Sequence, residues 1–517
     1  MSAAGRSPGP KGAAPRDCLE ADEAGLRSAT AVCEGRCLSM HRWLLVLACG
    51  VAASAQAALP GGIARAFTAN GIPLSSVSVV VREAGQPSPL FTHDADRPVN
   101  PASVMKLVTT YAALDLLGRD YRWKTEAYLD GRLDASGTLD GNLVLKGYGD
   151  PKITIEQWQA FMADLRAKGL QRVTGDLVLD RSWFKLPEHD PAAFDAEPLR
   201  PYNVGPDALL VNFKAVRFAF APDPATNAVA VRAEPPLPEI ALDALPQLGG
   251  GECGDWRATL LATYVNRGGS ASAAFPGRYP AACGERDWYV ALLDHPHYVH
   301  GMFTAYFREK GGRFDGGVRE GRAPRNAVPF ATMESVPLYD IMRDVNKLSN
   351  NVMARQIFLT LATTRHPPPA TPALAADVVQ HWLKDHKLAL PGLVLENGSG
   401  LSRNERVTAN FLARLLASAD GSKVREEFAS SLAVAAVDGT VQKRFRDGSV
   451  AGQALLKTGS LEGVRALAGY VIDADGRRFI VAAVINHPNA ARGAAALDYL
   501  VQWVYREAGH YDPALRR

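Results

Sequence analysis

Three short groups of residues in this sequence could do chemistry: Ser103-Val104-Met105-Lys106, Ser349-Asn350-Asn351 and Lys457-Thr458-Gly459. Hydroxyls beside amines and an amide are the parts needed for acyl transfer through a serine nucleophile. The patterns alone are weak, because Ser182-Trp183-Phe184-Lys185 and Ser402-Arg403-Asn404 imitate the first two. Context separates them. Ser103 follows Asn100-Pro101-Ala102 and opens a segment in which Leu107, Val108, Tyr111, Ala112, Leu114 and Leu117 recur at helical spacing before Gly118, whereas Ser182 opens no such pattern. The spacing predicts an amphipathic helix from about Ser103, with Lys106 one turn later on the same face. Free N–H groups and the dipole at its start favour an alkoxide and an oxyanion.

A serine needs a base. The sequence has no Gly-x-Ser-x-Gly elbow and no His-Glu-x-x-His zinc helix, which leaves lysine as the leading candidate. An amine can accept the proton only if burial or a nearby cation keeps it neutral, and Lys457 could be that cation. Lys457-Thr458-Gly459 is expected at the end of the apolar strand Ala454-Leu455-Leu456, where Gly459 permits close approach of another backbone. A peptide adding there as a strand would present its carboxylate to Lys457 and Thr458 and its scissile carbonyl to the N–H of Ser460. His295, His297 and His300 lie close together, but no Cys or carboxylate pattern accompanies them and Pro296 breaks a helical face. A polar surface loop, with no metal, is the expectation there.

The three groups in this order, with a long insert between the first two, resemble the type-four penicillin-binding proteins, a family of D-Ala-D-Ala carboxypeptidases and endopeptidases. Gly147-Tyr148-Gly149-Asp150-Pro151, Asn397-Gly398-Ser399-Gly400-Leu401-Ser402-Arg403 and Val437-Asp438-Gly439-Thr440 extend the resemblance over nearly all of the chain after the leader. Asn397, where the family usually has aspartate, and Asn350 depart from its pattern. The resemblance implies a serine β-lactamase/transpeptidase-like α/β fold, an antiparallel sheet flanked by helices, with a large β-rich insert. It implies an acyl-enzyme on Ser103, Lys106 as its base, Ser349 relaying the proton to the leaving amine and Asn351 holding the substrate amide. Lys457 and Thr458 would bind the terminal carboxylate, Gly459 would admit the substrate backbone, and the N–H groups of Ser103 and Ser460 would form the oxyanion hole. Asp180 and Arg403 are the matching candidates for contact with the free end of the stem-peptide side chain. Peptidoglycan stem peptides are then the substrate and β-lactams covalent inhibitors, with no cofactor. The rivals are a β-lactamase or esterase on the same Ser-Lys site, for which no dedicated carboxylate is evident, and a non-catalytic peptidoglycan-binding protein.

The elements that must position these groups follow from texture. Residues 121–324 carry short alternating segments such as Gly175 to Asp180, separated by Gly, Asp and Pro, and read as a β-rich insert. Helical periodicity resumes through Leu338, Ile341, Val345, Val352 and Ile357, so 58–120 and 325–517 are expected to form the catalytic domain around the insert. Gln453–Lys457, Leu467–Ile472 and Phe479–Ile485 read as a meander, covered by a helix from about Ala494 to Arg506. Across 517 residues, 47% hydrophobic and 21% charged with net charge +3, the composition is that of a chain most of which folds, and nothing indicates a nucleic-acid partner. Met40-His41-Arg42, the apolar run Trp43 to Ala53 and Ala55-Gln56-Ala57 form a secretory leader over 40–57, too short for a membrane anchor, which predicts a periplasmic protein. Residues 1–39 read as an untranslated or disordered extension. Only Cys253 and Cys283 follow the leader, and an oxidising compartment favours a disulfide between them over two buried thiols.

Overall fold

The computed structural model describes residues 59–446 and 448–512. The leader at 40–57 and the extension at 1–39 lie outside them. Six antiparallel strands make the central sheet, in the order Ala433–Val434, Ala454–Leu461, Val464–Ile472, Arg478–Asn486, Val77–Glu83, Phe91–His93. The N-terminal strand thus closes on the C-terminal hairpin, with Val77 opposite Ile485. Alternation along the strands sends side chains to two cores. Val80, Ala466, Ala468, Tyr470, Ile480, Ala482 and Val484 face a layer holding the helices Lys106–Leu117, Leu338–Lys347, Asn351–Ala362, Pro372–Asp385 and Ala409–Asp420. Val79, Val81, Leu467, Val481 and Ile485 face the other way, onto Gly61–Ala69 and Ala494–Glu507.

The helix after Ser103 is not amphipathic. It begins as a single tight turn, Ala102–Met105, becomes α-helical at Lys106 and is buried continuously from Lys106 to Leu114. A helix packed between a sheet and other helices has no solvent face to mark with polar residues. Gly118 ends it at φ 82°, as its position predicted. Continuous periodicity from Leu338 to Ile357 conceals a break: one helix stops at Lys347, and Ser349, at φ 59°, turns the chain into the next. The Asn350 side chain caps that second helix, accepting from Met353 N at 3.0 Å. The C-terminal strands run longer than predicted, so Lys457-Thr458-Gly459 lies inside a strand and not at its end.

Between the two halves of this body lies a seven-stranded sheet that includes Lys124–Leu133, Thr138–Gly147 and Leu177–Asp180 and takes its last strand, Ala331–Glu334, from beyond residue 324. Smaller sheets follow, stapled by a Cys253–Cys283 disulfide. The histidine cluster is not in a surface loop. It opens the helix His295–Glu309, where Asp294 is the N-cap and Pro296 occupies a first-turn position that needs no N–H donor. Its three imidazoles face three separate acids: Asp207 at 3.9 Å, Asp294 at 2.8 Å and Glu239 at 2.5 Å. No helix among the described residues is long and apolar enough to cross a membrane.

Candidate active site

The fold brings all three sequence groups to one place. Ser103 is half-buried in the turn before the central helix, and Lys106, fully buried, donates from Nζ to Ser103 Oγ at 2.9 Å. The same Nζ donates to Asn351 Oδ1 at 2.6 Å and to the Ser399 carbonyl. Asn351 is the first residue of its helix, so the break at Ser349 aims both Ser349 and Asn351 at the lysine pair. From the sheet side Lys457, also fully buried, donates to Ser349 Oγ and to the Thr458 carbonyl, each at 2.8 Å. Thr458 Oγ1 donates to Thr440 Oγ1 at 2.8 Å, which ties in the Val437-Asp438-Gly439-Thr440 turn.

Neither ammonium has a carboxylate in hydrogen-bond contact. Burial therefore lowers both pKa values: the Lys106 amine is held well below the usual lysine range by desolvation and then by the Lys457 charge, with Glu405 pulling the other way. Lys457 is pushed down to about 7 by burial. A neutral Lys106 amine with its lone pair toward Ser103 Oγ is a competent general base.

Backbone geometry supports a substrate path. A Cβ at Gly459 would lie 2.5 Å from the Pro101 carbonyl and 3.2 Å from Ser103 N, so only glycine lets the strand pass this close to the serine turn. The short strand Ala433–Val434 pairs only with Leu455 and Leu456. Among the described residues no strand pairs with that edge from Lys457 onward, which leaves it open to an extended peptide. Ser460 is exposed on the same stretch.

The Asn397–Arg403 loop forms the third wall. Gly400 sits at φ 79°, and a Cβ there would lie 1.9 Å from the Ala102 carbonyl. Asn397 does what an aspartate could not: its Oδ1 accepts from Ser399 N and Oγ, while its Nδ2 donates to the Leu401 carbonyl at 3.1 Å. Arg403 stacks on Phe194, 4.6 Å from the ring centroid, and donates to the Glu462 carbonyl at 3.2 Å. Asp180 does not join Arg403. Its carboxylate is taken by Ser182 N and Oγ and by Ala323 N, which makes it a buried clasp between two loops. Asp195, next to Phe194 in the chain, is likewise occupied, accepting from Tyr202 Oη at 2.8 Å and from Asn203 Nδ2 at 2.7 Å.

A cavity of about 1220 Å³, lined in part by Arg181, Asp207, Lys214, His295 and Arg355, meets this loop at Glu396 and Asn397. None of Ser103, Lys106, Ser349 or Lys457 lines it, so the chemistry is located by side-chain geometry and not by cavity size.

The model of the D-Ala-D-Ala carboxypeptidase 3 (S13) family matches residues 61–506. The chain belongs to that family. It is a serine-type D-Ala-D-Ala carboxypeptidase, a hydrolase. Among its relatives, a D-alanyl-D-alanine carboxypeptidase from an Actinomadura strain is 28% identical over 458 residues, covering 84% of this chain and 82% of that one. The D-alanyl-D-alanine carboxypeptidase DacB of Haemophilus influenzae is 24% identical over 420 residues, covering 80% and 85%. The crystal structure of penicillin binding protein 4 (dacB) from Haemophilus influenzae superposes with a TM-score of 0.71 at 22% identity, over 86% of the carboxypeptidase and 99% of that structure. At that identity the match establishes the fold, the helix-flanked antiparallel sheet with its inserted sheets.

Proposed function

We propose that this carboxypeptidase cleaves D-alanyl bonds of peptidoglycan stem peptides with Ser103 as nucleophile, acting on terminal D-Ala-D-Ala and on D-configured cross-links. The observation that carries the reading is the 2.9 Å contact between Ser103 Oγ and a buried Lys106 amine. Neutral Lys106 takes the Ser103 proton as Oγ attacks the carbonyl of the penultimate D-alanine. The N–H groups of Ser103 and Ser460 receive the oxyanion, with Gly459 giving the substrate backbone room beside them. The proton passes through Ser349 to the amine as the C–N bond breaks and D-alanine leaves. Water, deprotonated by Lys106, then attacks the Ser103 ester and restores the serine. Asn351 holds the substrate amide. Lys457 and Thr458 hold the terminal carboxylate, whose negative charge would restore the Lys457 ammonium.

The free end of the stem-peptide side chain is assigned to Arg403. The catalytic domain is assigned to 58–120 and 325–517, the insert to 121–324, and the location to the periplasm. A stem-peptide substrate and inhibition by β-lactams agree with the relatives' names and with a Haemophilus influenzae penicillin binding protein 4 structure complexed with a β-lactam. Benzylpenicillin added to the mature protein should give a stable mass adduct on the peptide containing Ser103, absent in Ser103→Ala. Folded protein without an adduct would overturn the acyl-enzyme reading.

A further inference from the structure

Glu405 is a carboxyl group that the proposed mechanism leaves without a task. It is fully buried. Its Oε1 accepts the backbone N–H groups of Glu396 and Asn397, each at 3.2 Å, and its Oε2 has no hydrogen-bond partner among the described residues. Through those two N–H groups it clamps the start of the loop whose Ser399 carbonyl accepts from Lys106 Nζ. The far side of the loop is pinned to the central helix, where Thr109 Oγ1 donates to the Gly398 carbonyl at 2.6 Å.

Burial pushes the Glu405 carboxyl up, and the Asn397 and Glu396 N–H donors and the Lys106 charge act against that push toward the ionised form. The charges acting on the Lys106–Glu405 site come from each element around it: Lys457 from the sheet, Arg355 from the helix beginning at Asn351, and Glu396 from the loop itself. Arg355 is itself buried, with an unpartnered Nε, and feels Glu405 as its chief favourable charge. Glu405 is thus the acid whose charge opposes the burial of both Lys106 and Arg355.

We propose that Glu405 is a positioning residue for Lys106: as a buried carboxylate it fixes the Glu396–Ser399 loop against the lysine and keeps the amine basic enough to deprotonate Ser103. This rests on Lys106 being the general base. Burial, Lys457 and Arg355 all push the amine toward the neutral form, and a base pushed too far loses the driving force for proton transfer. Glu405 opposes that push. No bond to substrate is involved, and the carboxylate is neither consumed nor protonated in the cycle.

The test is the pH dependence of the benzylpenicillin acylation rate in wild type, Glu405→Gln, Glu405→Asn and Lys106→Ala, each checked for folding by its thermal transition. Both amides remove the charge, and having two guards against one failing to fold. In whichever folds, the rising limb of the profile moves to lower pH, so acylation on that limb is about threefold or more faster than wild type at equal pH, while the plateau falls because the base is weaker. A limb that coincides with wild type in a folded amide variant overturns the proposal, and so does a lowered plateau without a shift, which would mark a purely structural clamp. Lys106→Ala separates the premises. If it abolishes acylation while the amide limbs do not move, only the Glu405 inference fails; if it acylates with the wild-type profile, the general-base reading fails first.

Discussion

Buried charge is handled in opposite ways in the two regions of the molecule. In the inserted region, interior cations meet acids: Arg181 pairs with the buried Asp207, and His300 meets Glu239 at 2.5 Å. Its core is an aromatic cluster of Phe218, Phe220, Trp256, Phe275, Tyr279 and Trp288, stapled by the disulfide. At the active site Lys106 and Lys457 are equally buried but contact only hydroxyls, an amide oxygen and carbonyls. Two residues there, Ala102 and Ser349, also take positive φ, each costing of order 1 kcal/mol. The insert neutralises charge and gains rigidity. The site withholds neutralisation, and burial together with the Lys457 charge shifts Lys106 toward its neutral amine.

Exchanging the two treatments should separate activity from stability, and this is the largest effect expected. Lys106→Met should slow penicillin acylation by roughly 10²–10⁴-fold while leaving the thermal midpoint unchanged or higher, because a buried unpaired amine is replaced by an apolar chain of similar length. Arg181→Met should do the reverse. It strands Asp207 without its guanidinium, for an expected loss of about 2–4 kcal/mol, with acylation of the remaining folded protein near wild type. Acylation rates with urea midpoints on both variants decide the matter, and equal stability losses would break the comparison.

The pH dependence of stability gives the next effect. Lys457 titrates near 7 when folded and near its ordinary value of 10.5 when unfolded. Between those values the unfolded chain binds the extra proton, so stability rises with pH across the window and the burial penalty is fully present only below about 7. Lys106 is shifted in the same direction. The thermal midpoint should climb from pH 7 toward 10 less steeply in Lys457→Met than in wild type. Parallel curves would mean that the amine is not buried as described.

Removing the staple acts only on the insert. Cys253→Ala with Cys283→Ala opens a loop with a sequence separation of 30 and should cost about 2–4 kcal/mol while changing penicillin acylation less than about twofold. A large loss of acylation would show that the insert's stability is transmitted to Ser103.

Much of this could be read from the chain because the site is built from local signals. Gly118 after an apolar helix, a hairpin turn at Asp473 to Gly476 and the final helical stripe each encode their element in neighbouring residues, and the elements formed there. Two of the three groups stand at helix starts, Ser103 in the turn before Lys106 and Ser349-Asn350-Asn351 before the next helix, whereas the third, expected at a strand end, lies inside its strand. What failed was tertiary in origin. The central helix looked amphipathic because its few polar positions, Lys106, Thr109 and Thr110, implied a wet face; they are buried, with Lys106 and Thr109 bonded to the loop 398–399 and Thr110 Oγ1 donating to the Lys106 carbonyl. Proline at 296 broke no helix, since helix starts tolerate it. Asp180 looked available because nothing in Leu177 to Asp180 reveals that Ala323, far along the chain, will occupy its carboxylate.

That last difference sets the smallest and most discriminating prediction. Arg403 is half-exposed and held by stacking on Phe194 and by Glu462, so its guanidinium is free enough to meet a ligand yet fixed in place. Phe194 lies in the 121–324 segment and Arg403 in the 325–517 segment, so their contact joins the two. Penicillin acylation depends on Ser103 and the lysines and should be unchanged within about twofold in Arg403→Ala. Hydrolysis of a stem peptide with a charged side-chain end should lose about tenfold in kcat/KM, the size of one solvent-accessible charge-assisted bond. Asp180→Asn should instead lower stability, because its oxygens are already bonded internally, and should weaken peptide and penicillin reactions alike. If Asp180→Asn shows the selective loss instead, the substrate reaches deeper into the insert than the Phe194–Arg403 contact allows, and the boundary drawn between a stability-bearing insert and a reactive body would have to move.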